Sequence, residues 1–468
     1  MLLSLAVLVG CAERPVPIAL PPAATQPEPR FRLDTPDDML LYGDFFAVCV
    51  QQVGNVLRYD CTVRLAEAQG VTLTWGRADG TGKQRTLRAD GPAREHRFTL
   101  ALMSPLTTYA FEVTADDPAL EPIEGTFETD PLPPEVLVLP QRDGTSTASL
   151  LAFVSPCGLG GYVLVMDPNR GEIVWYDRVA ASMFGFVDAV TFTEQGTLLA
   201  VVDEGLTETT QQGEHVLSLL PGLQLTRRLH HDVFRRGERT WSLFQETLTQ
   251  GAASYYADGF VVIEGGQEVA EWHLADHFAL PPTTLELPVD WSHANGIWVD
   301  EDGLALISLR NLDTVLQVVA DPDAPDFGEV RWRLAGPDGP LGSDFDLSSV
   351  VGDPPDFQHQ HNAYFSGDGR ITLFDNRADV RETSRVLEIA LDEDAGTAVI
   401  DRVYPLSVHC DFSGGALRTA AGNPLATCAP LQQLYEFDAA SAQTRYTAEL
   451  VCPDGGGRYI PRFVPVTW

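Results

Sequence analysis

The sequence predicts an all-β protein, a small β-sandwich followed by a β-propeller of about six blades. Three observations predict it. One phrase is written twice between Asp290 and Asn376: a histidine opening an apolar alternating strand, a glycine-bearing turn, and a second apolar strand. Short β phrases with Gly, Asp and Pro turns recur from about Val136 to Trp468, and no convincing amphipathic helix interrupts them for long. An earlier stretch, Phe45 to about Asp130, carries its own alternating strands.

Taken in order, Met1 to Gly10 is apolar, and Leu8-Val-Gly-Cys11 resembles the lipobox of bacterial lipoproteins. Residues 1–11 are read as a signal segment that leaves Cys11 as a lipidated N-terminus. The implied location is the cell envelope, as an outer-membrane lipoprotein facing the periplasm or the cell surface. Residues 12–40 form a tether, Pro/Ala-rich from Pro15 to Pro29, that cannot bury a core. No other stretch is long and apolar enough to span a bilayer, so any membrane contact runs through the lipid anchor only.

Residues 41–134 are the expected sandwich. Val71-Thr-Leu-Thr-Trp75 is an alternating strand with a core tryptophan, and Leu106 to Thr114 carries Tyr109 on another. This segment resembles a fibronectin type III domain, which implies a scaffold or adaptor role. Residues 135–468 are the expected propeller. Its phrases ending in Gly-Glu-x-x-Trp, at Trp175 and Trp332, read as outer hairpins of blades. A third, weaker copy of the repeated phrase begins at His230-His231. His231, His293 and His361 are separated by 62 and 68 residues, a period that suits blades. Inner strands of a propeller converge on its axis, so three distant histidines would share one funnel.

Lys plus Arg number 31 and Asp plus Glu 66, a net charge of −35. That excludes a nucleic-acid partner, since phosphates would find nothing to neutralise them. It also argues against adhesion to anionic lipid. Setting Cys11 aside leaves six cysteines, an even number in an exported chain. Cys49 and Cys61 flank one hairpin and Cys410 and Cys428 a later region. Cys157 and Cys452 remain, and a bridge there would tie the ring closed. This is one of 15 possible connectivities.

The chemistry-bearing residues come in an order: His230-His231-Asp232, then Asp290-Trp-Ser-His293-Ala-Asn295 with Arg310 17 residues after His293, then Gln358-His-Gln-His361-Asn362-Ala and Phe374-Asp-Asn376. From about Ala152 to the end, this resembles the bacterial arylsulfate sulfotransferases. The resemblance implies a six-bladed propeller that moves a sulfuryl group from an aryl sulfate donor to a phenolic acceptor, without a nucleotide donor and with no cofactor. It matches His361 to the histidine that is transiently sulfated, His293 and Arg310 to the residues holding the sulfuryl oxygens, Asn295 to a neighbouring polar contact and His231 to a third histidine of the funnel. His230 could replace His231, and His359 could replace His361.

The residue types fit this chemistry. Sulfuryl transfer, like phosphoryl transfer, needs an in-line nucleophile and cations around the equatorial oxygens. Imidazole is a competent nucleophile, and a guanidinium forks to two oxygens. Other readings compete. A lone histidine opening a strand is more often structural, and three could hold zinc, although Arg310 would repel a dication. His273 and His277 could be ligands four apart, or sit on a short surface segment between blades. Asp375 and Asn376 read as a turn supporting a blade. His96, His215 and His409 have no visible partner. A rival from another class is a non-catalytic propeller that binds a cell-surface glycan or protein.

Overall fold

A computed structural model describes residues 45–468 except 159, 182–184, 284–287, 338, 351, 353, 368 and 378–381. Cys11, the lipobox and the tether lie outside the described residues. What is described is all-β. Its strands form many antiparallel sheets, joined by a few single turns of 3-10 helix. No helix among the described residues is long and apolar enough to cross a membrane.

Near the N-terminus two sheets face each other. One holds Phe45–Gln52, Asn55–Gln69 and Ala93–Leu100; the other holds Arg85–Arg88, Val71–Arg77, Thr108–Ala115 and Ile123–Glu128. Alternation decides which side chains turn inward: Tyr59, Cys61, Val63, Leu73, Trp75 and Val113 fill one shared core. Cys49 and Cys61 stand directly opposite in the first hairpin and are bonded there.

Six further sheets follow. Their innermost strands are Val464–Val466, Val187–Phe192, Leu229–Arg236, Ala294–Val299, His361–Gly367 and Gly415–Arg418, in sheets one to six respectively. Sheets two to six run outward from that strand with antiparallel neighbours, except that Asp346–Ser349 joins the outer edge of sheet five in parallel and Val289–Asp290 pairs in parallel within sheet three. The innermost strands contact one another in a cycle, each touching the next and the sixth returning to the first. The three copies of the histidine phrase are the first two strands of sheets three, four and five. The two Gly-Glu-x-x-Trp phrases lead into the outermost strands Glu172–Arg178 and Val330–Ala335 of the sheets they end.

Alternation is weaker here than in the N-terminal strands. Leu198–Val202 and Thr314–Val319 are buried at every position, because a middle strand is covered by neighbouring sheets on both faces. Where inner strands meet, room is tight. A Cβ on Gly296 would lie 2.8 Å from the Cα of Asn362 on the next sheet, so the glycine after Asn295 lets sheets four and five approach.

Both ends of the chain close the cycle. Val464–Val466 pairs with Leu150–Val154 in the first sheet, while Leu139–Gly144 pairs with Thr444–Val451 at the outer edge of the sixth. Cys157 and Cys452 are bonded across 295 residues, as expected. On the chain-entropy argument, a loop that long is worth up to about 6 kcal/mol. Cys410 and Cys428 are bonded beside the sixth inner strand. The N-terminal sheets are fixed to the first sheet by named contacts. Val56 N–H donates to Tyr176 Oη at 2.9 Å, and the buried Arg58 pairs with Asp177 at 3.1 Å while lying over the Trp175 ring.

Candidate functional site

A pocket of about 350 Å³ opens where the six inner strands begin, and every sheet contributes to its wall. Sheet two supplies Asp188, sheet three His231, sheet four His293, Asn295 and Arg310, and sheet five His361 and Asn362. Sheet six supplies Phe412 to Gly414, and the closing segment of sheet one supplies Tyr459 and Arg462. The five site residues expected from the sequence therefore meet in one cavity.

Local backbone geometry aims them there. His231 (φ 57°), His293 (φ 48°) and Asn362 (φ 53°) occupy the left-handed region, which is costly for residues with a Cβ. Buried carboxylates anchor these kinks. Asp258 accepts from Ala294 N–H at 2.8 Å and Ser292 Oγ–H at 2.5 Å, and Asp232 accepts from Ile297 N–H at 3.0 Å. Asn295 Nδ2 donates to Gln360 O at 2.9 Å, tying sheet four to sheet five, and its Oδ1 is buried without a hydrogen-bond partner among the described residues. Arg310 opens the 3-10 turn Arg310–Leu312 directly after the second strand of sheet four. Its N–H donates to His293 O at 3.1 Å, which keeps the two side by side.

The hydrogen bonds around His361 fix its tautomer. Asn376 Nδ2 donates to the carbonyls of Cys410 (2.8 Å) and Ser413 (2.9 Å), which can only accept. Its Oδ1 therefore faces His361 Nδ1, at 2.6 Å, as an acceptor, and His359 O is a second acceptor at 3.1 Å. The proton sits on Nδ1, and Nε2 carries the lone pair. Burial, reinforced by Arg310 and His293 and opposed by the Asn376 bond, pushes the His361 pKa down to about 3. The ring is thus neutral across the ordinary pH range.

The other imidazoles are held differently. His293 Nδ1 lies 2.5 Å from Asp290 Oδ2, a carboxylate–imidazole pair. Burial alone would lift the Asp290 carboxyl, but His293 and Arg310 bring it below its ordinary value. The His231 and His293 rings sit edge to face, 4.8 Å apart. Burial, then the neighbouring His230, His293, His361 and Arg310, hold His231 well below the usual histidine pKa.

The two doublet ambiguities are resolved by position. His231 faces the pocket, and His230 lies behind it with Nδ1 2.6 Å from His231 Nδ1 and Nε2 3.0 Å from Asp258 Oδ1. Burial pulls His230 down, yet Asp258, the Phe244 backbone and Asp188 outweigh it and leave its pKa raised. His361 faces the pocket, whereas His359 lines a separate cleft beside Trp291 and Leu341.

The remaining histidines serve elsewhere. His273 bonds Glu246, and His277 stacks on Trp272. His96 bonds Gln69 O, His215 bonds Asp177, and His409 bonds Glu382 O. Among the described residues no three His, Cys, Asp or Glu side chains group as a metal ion would require.

Sequence reasoning missed several residues. Asp375 supports its sheet as read, through Arg385 at 2.8 Å, but Asn376 orients His361. Arg462 reaches across the pocket to Asp232 at 2.6 Å. With its amide oxygen toward Arg462, Asn362 accepts from that guanidinium at 2.5 Å and donates to Ala416 O at 2.6 Å. Asp188, Phe412 and Tyr459 carried no signal at all, because they belong to no repeated phrase.

No curated protein matches this chain. Among solved structures, a protein of unknown function from Bacteroides caccae is 11% identical, with 69% of this chain and 100% of that chain covered at a TM-score of 0.37. A catalytically inactive virginiamycin B lyase from Staphylococcus aureus, with quinupristin, is 9% identical over 67% and 99% at 0.36. A gluconolactonase from Xanthomonas campestris is 13% identical over 62% and 79% at 0.33. Scores this low carry no argument. A sequence model of the arylsulfotransferase (ASST) family, by contrast, matches residues 140–400, which include His231, His293, Asn295, Arg310 and His361. Spanning more than half of the 468 residues, that match shows that the protein belongs to the arylsulfotransferase (ASST) family.

Proposed function

We propose that the protein transfers a sulfuryl group from an aryl sulfate ester to a phenolic acceptor through a sulfated His361. The observation that carries this reading is the His361–Asn376 bond, which leaves a neutral imidazole with its Nε2 lone pair free for attack. In the first half-reaction Nε2 bonds to sulfur and the S–O(aryl) bond breaks. The leaving phenolate takes a proton from His293 Nε2, while Asp290 holds the other ring nitrogen. In the second, the acceptor hydroxyl returns a proton to His293 as its oxygen bonds to sulfur and the N–S bond breaks. Arg310 and His231, on the same wall, hold the equatorial oxygens, and Asn295 offers a further polar contact.

The six sheets read as blades of a propeller and the N-terminal pair as a fibronectin-like scaffold. The cyclic contact of the inner strands and the shared core of the first two sheets support these readings. Convergence of His231, His293, Arg310 and His361 on one cavity favours an enzyme over a propeller that only recognises a glycan or protein. The lipobox at Cys11 supports an envelope lipoprotein, on the outer membrane and facing the periplasm or cell surface.

The test is sulfate transfer from 4-nitrophenyl sulfate to phenol, with and without a chelator. Acceptor-dependent release of nitrophenol and formation of phenyl sulfate, insensitive to chelator, is the expected result. No transfer by a folded, disulfide-bonded protein would overturn the proposal, and loss of transfer on chelation would replace its mechanism.

A further inference from the structure

The pocket wall facing the imidazoles carries a carboxylate that the transfer does not use. Asp188 belongs to the second inner strand, and His361 opens the fifth; in a cycle of six these stand on opposite sides. Burial lifts the Asp188 carboxyl to about 6, with Glu204 adding and His230 opposing, so it is charged at neutral pH. No hydrogen bond or salt bridge to that carboxylate occurs among the described residues. Asp188 is only partly buried and lines the pocket, so an arriving cation can form a charge-assisted hydrogen bond with its carboxylate.

Aromatic rings frame this carboxylate. Tyr459 meets Phe412 edge-on at 6.0 Å and Phe186 at 6.0 Å. Phe412 and Phe186 remain 46% and 37% exposed, unusual for rings whose burial would stabilise the protein. An exposed aromatic rim around an unpaired carboxylate suits a flat ring bearing a positive charge.

We infer that this half of the pocket is the subsite for the remote end of the acceptor, where Asp188 selects phenols carrying a protonated amine para to the hydroxyl. The inference rests on the transfer reading above. A phenol whose oxygen approaches the sulfuryl group on His361 points its para position across the pocket, at Asp188 and against the Phe412 and Tyr459 rings. An ammonium there forms a charge-assisted hydrogen bond, while a carboxylate meets like charge. Asp188 lies on the inner strand opposite that of His361, which suits it to the remote end of the acceptor. A base, by contrast, would affect all phenols alike.

The experiment titrates tyramine, 4-ethylphenol and 3-(4-hydroxyphenyl)propionate calorimetrically into wild type, Asp188→Asn and Asp188→Glu, and measures sulfate transfer to each phenol in the same preparations. Wild type should bind tyramine roughly tenfold more tightly than 4-ethylphenol, as one charged hydrogen bond predicts, and bind the propionate most weakly. Asp188→Asn should level the three to within about twofold, and Asp188→Glu should keep the order. Equal binding of all three by wild type, or an undiminished tyramine preference in Asp188→Asn, would overturn the inference. A tyramine preference without any transfer would sink the transferase reading and leave the subsite standing; transfer without the preference would do the reverse.

Discussion

The two halves of the pocket wall are built by different means. Sheets three to five present His231, His293 and His361 from equivalent places near the start of an inner strand, His293 backed by the Asp290 carboxylate, His361 by the Asn376 amide, and His231 by His230, which in turn meets Asp258. Sheets six, one and two present Phe412, Tyr459, Arg462 and Asp188 from segments that share no phrase. On the reading proposed above, the repeated half holds charge around the sulfuryl group and the other half meets the remainder of the substrate, which would put reaction type in the repeated part and substrate choice in the unrepeated part.

The sharpest way to break this contrast lies in the repeated half. Arg310→Lys keeps the charge but loses the fork, and should fold normally while losing about a hundredfold in kcat/KM. Full activity in that variant would remove Arg310 from the sulfuryl site. A smaller loss, on the order of tenfold to thirtyfold, is expected for Asn376→Ala, because Nδ1 then no longer has an acceptor that commits the lone pair to Nε2. As Asn376 is a positioning residue, the loss should fall in kcat with KM little changed, which rapid-quench kinetics can separate.

In the unrepeated half the expected effects are weaker and of another kind. Phe412→Ala should raise KM for phenols about threefold to tenfold and spare kcat, since Phe412 lines the pocket and an aromatic contact with a bound ring contributes roughly 1 kcal/mol. A collapse of kcat instead would put Phe412 among the groups that act on the reacting atoms and erase the division between the two walls.

The smallest effect concerns stability. His361 has a pKa of about 3 when folded, against an ordinary value of 6.5. The unfolded chain therefore binds more protons between these values. This contribution is fully present above pH 6.5 and is lost as pH falls toward 3. Chemical denaturation of wild type and His361→Gln between pH 7 and pH 4 should show the wild type losing stability relative to the variant. Parallel curves would mean that the ring is not held neutral.

Much of this was legible in the residues. The spacing of His231, His293 and His361 pointed to one shared funnel, the family resemblance supplied the chemistry expected of it, and the cysteine positions pointed to the three bridges that occur. What could not be read depends on contacts between distant segments. Asn376 looks like a turn residue until its amide is seen to donate to Cys410 and Ser413, which fixes what its oxygen does. Arg462 acquires a place in the pocket only because the last strand closes the first sheet. Asp188 is one of 66 acids on a strongly anionic chain, and nothing in its neighbours marks it as a pocket residue. The family match ends at residue 400, so Phe412, Tyr459 and Arg462 lie beyond it as well.

The most direct test of the central claim is to trap the intermediate. The protein is incubated with 4-nitrophenyl sulfate and no acceptor, digested at neutral to alkaline pH to spare the acid-labile N–S bond, and mapped by mass spectrometry. A single sulfuryl adduct on His361, absent in His361→Ala and discharged by phenol, is the predicted result. An adduct on any other residue, or steady transfer with no adduct at all, would contradict the account.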